Sequence, residues 1–298
     1  MEVYEMKPET ILKGINEKVE AEVNVPRISR KTEQAIREKR NKWYKILSLF
    51  IFFIIWEMAS RINVYQGWFN PVFLPSPTLI IQTGYDYFQK GILFKHIGIS
   101  LYRMLGGFMI GTIIAVIGGS LIANFKWIEN LIMPIVNMFG PIPVLAFLPM
   151  FLIWFGIGEG SKITLITYTT FIAMLPYVID GIKNTDPVLI RSAVSLGASR
   201  VQVFTKIILN SAMPNIFSGM KACLGLGFSS LVVAEMMGAS SGLGYIIVDA
   251  KNWFKMADMF LAAILIGILY TLFFCLLTAL ENILFKWKKD GITSAVES

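Results

Sequence analysis

Apolar residues in this chain gather into runs near the length of a membrane crossing, and polar residues gather between them. Six such runs occupy residues 43–60, 105–124, 128–155, 163–179, 214–237 and 259–285. A helix needs about 20 apolar residues to cross a hydrocarbon layer of roughly 30 Å, and longer runs allow tilt. One such run could be a buried helix of a soluble protein. Six in succession predict an all-α membrane protein with about six transmembrane helices. The chain then divides into a polar tail, 1–42, a membrane domain, 43–288, and a second polar tail, 289–298. The first tail is mixed in charge and poor in aromatics, so it buries little and reads as solvated, with 30–42 able to form a short surface helix. The first run begins near Ile46, too late for a cleavable signal, and is expected to be an uncleaved span.

Charge orients the runs. Arg27, Arg30, Lys31, Arg37, Lys39, Arg40 and Lys42 precede the first, and Lys286, Lys288 and Lys289 follow the last. An even number of crossings puts both termini on one side, and the positive-inside rule makes that side the cytoplasm. The loop carrying Lys183, Arg191, Arg200 and Lys206 falls there too, as does the turn at Lys126. The outer connections are then 61–103, 156–162 and 238–258. In the first of these "FLPSP" leads into an amphipathic stretch, 78–89, expected along the membrane surface.

Composition narrows the function by exclusion. Of 298 residues 55% are hydrophobic and 16% charged, and mean hydropathy is +0.62, whereas soluble domains carry about 25% charged residues. The net charge of +7 does not indicate nucleic acid, because the basic residues flank apolar runs instead of covering a face. Cys223 and Cys275 lie inside apolar runs and His96 is the only histidine, so no metal site is expected. No nucleophile–base constellation supports an enzyme, and no Gly-rich phosphate loop followed by Lys-Ser/Thr supports ATP binding by this chain. A secondary transporter or channel would show inverted repeats or several intramembrane charges, and neither is clear.

Some spans carry chemistry of their own. Gly107 and Gly111 form a small-xxx-small pair suited to close helix approach. The third run is interrupted by "GPIPVLAFLP", where Pro141, Pro143 and Pro149 remove backbone donors. Freed carbonyls must be met inside the protein or face a wet cavity, so this is either a packed kink or part of a translocation path. Candidate path residues are Pro141, Pro143, Trp154, Ser229, Ser230 and Glu235. Glu235 is an acid in or at the outer end of the fifth span, either functional or an interfacial residue, and Glu57 is a second isolated acid that could pair with a neighbouring helix.

The loop at 186–210 has its own grammar. Asp186 can cap a helix with Pro187 in its first position, Gly197 can end it in a left-handed turn, and Ser199 can cap a second helix over 200–209. Pro214 is expected to open the fifth span. Leu189, Ile190, Ala193, Val194, Leu196, Val201 and Phe204 are too apolar for a free loop and call for a partner.

This loop resembles the one by which permease subunits of ABC importers dock on their ATPase: Glu-Ala-Ala, three residues, Gly, nine residues, Ile, one residue, Leu-Pro. Arg191, Ser192 and Ala193 take the first three places, Gly197 the glycine, Ile207 the isoleucine and Leu209 the leucine. Asn210 stands where the proline is expected, Pro214 matches a second proline, and Arg191 reverses the usual acid. "FLPSP", "SLYRMLGGFMIG", "GPIPVLAFLPMFLIWFGIGEGSKI" and "LVVAEMMGASSGLGYIIVDA" look like the nitrate/sulfonate/taurine group of these permeases. The resemblance implies type I importer architecture and a non-catalytic, multi-pass subunit of the cell (inner) membrane. It implies a second copy of the chain, cytoplasmic ATPases that hold ATP and Mg, and an external solute-binding protein that delivers a small anion such as nitrate, a sulfonate or taurine. It implies no cofactor in this chain. Arg191, Ser192, Ala193, Leu196, Gly197, Ala198, Ser199 and Arg200 are the expected ATPase contacts.

Overall fold

The computed structural model describes the backbone of residues 30–285 and the side chains of 43, 44 and 47–285. Of the expected tails, 1–42 and 289–298, residues 1–29 and the whole of the second lie outside the described residues, as do Arg27, Lys286, Lys288 and Lys289. The regular elements within them are all helical. The chain divides into two compact units, with the boundary between Ile62 and Asn63.

The first unit is dominated by helix α1, Arg30–Gln66, apolar over Leu47–Gln66. Residues 30–42, placed in the first tail with a short helix allowed, lie within this helix. Nothing from 30 to 66 is Gly or Pro, so no residue there breaks the helix. Within α1, Glu57 pairs with Arg61 one turn on at 2.7 Å.

The second unit holds α2, Pro77–Gln89; α3, Ile92–Asn124; α4, Lys126–Phe139; α5, Val144–Phe155; and α6, Glu159–Lys183. It continues with α7, Pro187–Ser195; α8, Arg200–Gly238; α9, Leu243–Asn252; and α10, Met256–Leu284. The surface stretch expected at 78–89 is α2, capped by the Ser76 hydroxyl, which accepts from the Leu79 amide at 3.3 Å.

α3 and α6 run parallel. Arg103 bonds Glu159, Gly107 faces Ile163 and Ile166, Gly111 faces Thr167 and Thr170, and Gly119 faces Val178. These are close approaches: a β-carbon on Gly107 would lie 2.5 Å from that of Ile166, and one on Gly111 2.7 Å from the Thr167 carbonyl oxygen. Since α3 and α6 point the same way, the chain joining them must return across the bundle. It does so through α4 and α5, which meet at 102° around Gly140–Pro143. The broken pair thus acts as one crossing. α8 runs antiparallel to both, with Gly181 against Ala212 and Gly227 against Met104. α10 returns alongside α8, joined by an edge-to-face Phe228–Tyr270 ring contact and by a Lys221–Glu281 ion pair. The core lies where α3, α6 and α8 meet, around Met104, Ile166, Met174, Leu224 and Leu231.

Several boundaries differ from those expected, three of them at the start of a crossing that reaches into a polar stretch. The second crossing starts at Ile92 instead of 105, the fourth at Glu159 instead of 163, and the fifth at Arg200 instead of 214. In the first two, charged residues that a hydropathy pattern assigns to loops are drawn into helices by tertiary partners. In the third, Pro214 sits inside α8.

Gly111→Val places two methyls against the α6 backbone, which cannot yield as a side chain can. The expected loss is about 1–3 kcal/mol, read as a lowered Tm of the detergent-solubilised protein. Gly98→Ala, with nothing within 4 Å of the added carbon, is the matched control expected to leave Tm unchanged.

Candidate functional site

The docking loop is built as its sequence dictates. The Asp186 carboxylate accepts from the Val188 amide at 2.8 Å and starts α7. At the other end the Ala198 amide bonds the Ala193 carbonyl and the Gly197 amide the Val194 carbonyl, at 3.0 and 2.9 Å. That pair of bonds is a Schellman closure, and it requires the left-handed φ of +80° that Gly197 adopts. Ser199 and Gln202 then form a reciprocal capping box that starts α8. Each end of the hinge is thus fixed by its own hydrogen bonds.

The apolar residues of this loop divide in two. Ile190, Ala193, Ala198 and Phe204 are partly covered within the chain. Val188, Leu189, Val194, Leu196 and Val201 are exposed, Leu196 to 88%. Arg191, Ser192, Ser199 and Arg200 surround them, also exposed. Neither Arg191 nor Arg200 enters an ion pair among the described residues.

α8 carries the loop on a long rod. Its 39 residues span about 58 Å at 1.5 Å per residue, well beyond a bilayer core. The helix widens to π geometry over Val203–Ile208, and the Asn210 side chain donates to the Lys206 carbonyl at 2.9 Å. Pro214 removes the amide that would meet the Asn210 carbonyl. Local loosening of this kind is common at functional positions in helices.

The far end of α8 is locked. Glu235 is 1% exposed and Arg103 of α3 is 1% exposed. Arg103 Nη1 donates to Glu235 Oε1 at 2.9 Å and to the Ser241 carbonyl at 2.6 Å, while its Nε and Nη2 grip the two oxygens of Glu159, both at 2.6 Å. The Ser100 hydroxyl and the Gly244 amide, each at 2.8 Å, complete the shell of Glu235. Lys162 is also buried, and its ammonium donates to the Gly158 carbonyl at 2.9 Å. Just beyond, the Gly242 amide donates to His96 Nδ1 at 2.9 Å. Glu235 was a candidate path residue. With its carboxylate enclosed it is not open to a passing solute, and it serves as a junction of α3, α6, α8 and α9.

The other path candidates are dispersed. Pro141 and Pro143 line a cavity of about 520 Å3 at the α4–α5 bend, with Asn137, Tyr168, Thr169 and Leu226 and no charged side chain. Ser229 lines a separate cavity of about 370 Å3 with Phe228 and Tyr270. Ser230 is buried and bonds back to the Gly227 carbonyl, and Trp154 is exposed at the end of α5. Sequence reasoning missed Arg103, Ser100, Glu159 and Lys162 as a site. The available signal was that Arg103 and Lys162 are basic residues at the ends remote from the docking loop, against the positive-inside bias.

The profile of the family described as binding-protein-dependent transport system inner membrane component matches residues 107–289. The putative aliphatic sulfonates transport permease protein SsuC of Bacillus subtilis is 33% identical over 278 residues, 92% of this chain and 98% of that one. The taurine transport system permease protein TauC of Escherichia coli is 33% identical over 267 residues, 85% and 96% of the two chains. Among solved structures, a chain of the inward-facing MetNI methionine ABC transporter superposes with a TM-score of 0.56 at 20% identity, covering 65% of this chain and 96% of that one.

Removing one partner of a buried ion pair strands the other, at a cost of about 3–5 kcal/mol. Arg103→Met is therefore expected to lower Tm sharply. Adding Glu235→Met to it removes the stranded carboxylate and should recover part of the loss, whereas Glu159, half exposed, can hydrate. Simple additivity of the two single variants in thermal melts would contradict the junction.

Proposed function

Because the chain belongs to the family of binding-protein-dependent transport system inner membrane components, as the permease subunit of an ABC importer, we propose that it acts as a lever between cytoplasmic ATPases and a path for a small sulfonate-like anion. The observation that carries this reading is the exposed apolar hinge at Leu196–Gly197, mounted on one continuous helix that ends in the Arg103–Glu235 junction. Two copies of the chain enclose the path in the inner membrane, with the docking loop and both termini in the cytoplasm. An external binding protein delivers the solute. The relatives named for aliphatic sulfonates and taurine support the anion class.

The permease performs no chemistry here. ATP and Mg are held by the ATPases, and this chain needs no cofactor. Its work is to convert movement of α7 and the start of α8 into a change at the far end of the bundle. Such a switch needs an interface with two discrete arrangements and a ligand that favours one. The Schellman closure and the capping box make α7 and α8 two rigid arms at a fixed angle, so a push on one is transmitted to the other. Arg191, Ser192, Ala193, Leu196, Gly197, Ala198, Ser199 and Arg200 form the ATPase contact in this reading. Arg191 then meets an acid or a carbonyl on the ATPase where relatives of the usual pattern present a carboxylate.

The bend cavity is the proposed route of the solute. Asn137 and Tyr168 give the cavity neutral polar groups, and the Phe139 carbonyl before the bend is met by the Ile142 amide at 3.2 Å and the Tyr168 hydroxyl at 3.4 Å. A lining without charge holds an anion weakly, which suits passage, and leaves selection to the binding protein.

Two outcomes test the lever in proteoliposomes containing the permease, its ATPase and the binding protein. Leu196→Asp buries a charge in the docking interface and should abolish co-purification of the ATPase while membrane insertion persists. Gly197→Val meets no neighbour within 4 Å but cannot adopt φ of +80° without strain. It should keep ATP hydrolysis and lose most solute uptake. Uptake at the wild-type rate in the Gly197→Val transporter would falsify the lever.

A further inference from the structure

The end of α3 and the start of α8 frame a cavity of about 430 Å3, within the size range of small-ligand sites and apart from the proposed route of the solute. Its polar lining is Arg200, Asn124 and Ser120, and its apolar lining is Leu121, Phe125, Val201 and Phe204. Arg200 is exposed and enters no ion pair among the described residues. The Asn124 amide nitrogen donates to the Ser120 carbonyl at 2.7 Å, which fixes the side chain and leaves its second N–H for another acceptor. Phe204 lines the cavity from the stretch where α8 widens to π geometry, a loosening common at functional positions. An uncompensated cation and an amide donor beside apolar walls fit an anion that carries a hydrocarbon chain.

Depth in the membrane says which anion. The apolar run at 105–124 makes about 20 residues, or about 30 Å of helix, so it crosses the hydrocarbon layer and ends at Asn124. The cavity therefore lies where headgroups lie, and the exposed Phe125 and Trp127 are the aromatics that mark this level. Lys126 and Lys206, also exposed, do not line it. The positive-inside bias puts this end on the cytoplasmic leaflet, which carries anionic phospholipid. Free phosphate or sulfate has no use for the apolar walls. An aliphatic sulfonate shares the chemistry, but it reaches this level only from bulk water, whereas lipid stands at the rim throughout.

We propose that this cavity binds the phosphate of an anionic phospholipid, with the Arg200 guanidinium and the Asn124 amide on its oxygens and the first carbons of its acyl chains against Leu121, Phe125 and Phe204. The proposal rests on the importer reading above, which places this end on the cytoplasmic leaflet. Arginine suits phosphate because its planar fork donates two parallel bonds, and its further donors stay free for the ATPase. Basic pockets between crossing helices on the cytoplasmic side are the usual form of a headgroup site. Arg200 opens α8 directly after its Ser199 cap, so a lipid held there ties the docking arm to the end of α3. An arm tied at its base passes the push of the ATPase along α8 instead of swinging. Occupancy by lipid then raises the amount of solute moved per ATP.

The experiment places the permease–ATPase complex in nanodiscs and vesicles of phosphatidylcholine, with or without phosphatidylglycerol. Native mass spectrometry reads the phosphatidylglycerol retained by the permease and its affinity over phosphatidylcholine. Arg200→Gln should lower that affinity at least about tenfold, since it removes the charged fork. Asn124→Leu changes no charge and lies outside the docking loop, and should lower it at least about threefold. Both residues are exposed, so Tm should hold. Lys126→Gln removes a charge beside the cavity and should cost less than Arg200→Gln. Uptake per ATP hydrolysed should fall in vesicles of phosphatidylcholine alone and, with phosphatidylglycerol present, in Asn124→Leu. Equal losses in Lys126→Gln and Arg200→Gln, with none in Asn124→Leu, mark diffuse attraction to the leaflet and overturn the proposal. So does displacement of phosphatidylglycerol by ethanesulfonate, which marks a site for a soluble sulfonate. If the wild-type permease fails to retain its ATPase, the importer reading fails and takes the cytoplasmic placement with it. If the ATPase is retained and uptake is normal, but lipid affinity is the same in Arg200→Gln and Asn124→Leu as in the wild type, the lipid site alone is wrong.

Discussion

The guanidinium of Arg103 joins more of this structure than any other group. It holds Glu159 at the start of α6, Glu235 near the end of α8 and the Ser241 carbonyl in the turn before α9. Its planar fork satisfies two carboxylates at once, a geometry that lysine cannot supply. A buried charge is tolerable only when paired and fully hydrogen-bonded. Here the Ser100 hydroxyl and the Gly244 amide complete the shell of Glu235. The parallel pairing of α3 and α6, the antiparallel return of α8 and the entry of α9 all meet at this one cluster.

The consequence is an asymmetric bundle. At the Arg103 end, four elements are pinned by ionic and hydrogen bonds around the buried Arg103 and Glu235. At the opposite end a Lys183–Glu129 pair is partly exposed, and α7 rests on the π-widened start of α8. Between them the glycines of α3 bring α3 and α6 into close contact. A rod held firmly at one end and loosely at the other is suited to carrying displacement along its length. The Schellman turn at Gly197 fits the same division, since glycine adopts its left-handed φ without strain.

The broken crossing has a different physical origin. Pro141 and Pro143 prevent a continuous helix, and the 102° bend leaves an uncharged cavity. Bundle topology demands that the chain cross at this point, since α3 and α6 are parallel. The prolines decide only that the crossing is not straight. Carbonyls freed at such a bend remain compatible with a membrane when they line a cavity.

What the sequence determined by itself was whatever depends on near neighbours along the chain. The apolar runs gave the crossings, because a helix satisfies its own backbone in lipid. Asp186, Pro187, Gly197 and Ser199 gave the two arms of the docking loop, because capping is a matter of a few adjacent atoms. Only the tertiary structure decided where charge may be buried. Arg103 and Glu159 read as loop residues while their partners were unknown, since an unpaired charge is costly in an apolar run. Glu235 read as a path candidate for the same reason. Pairing over 56 to 135 residues of sequence reverses that cost, and no local pattern contains it.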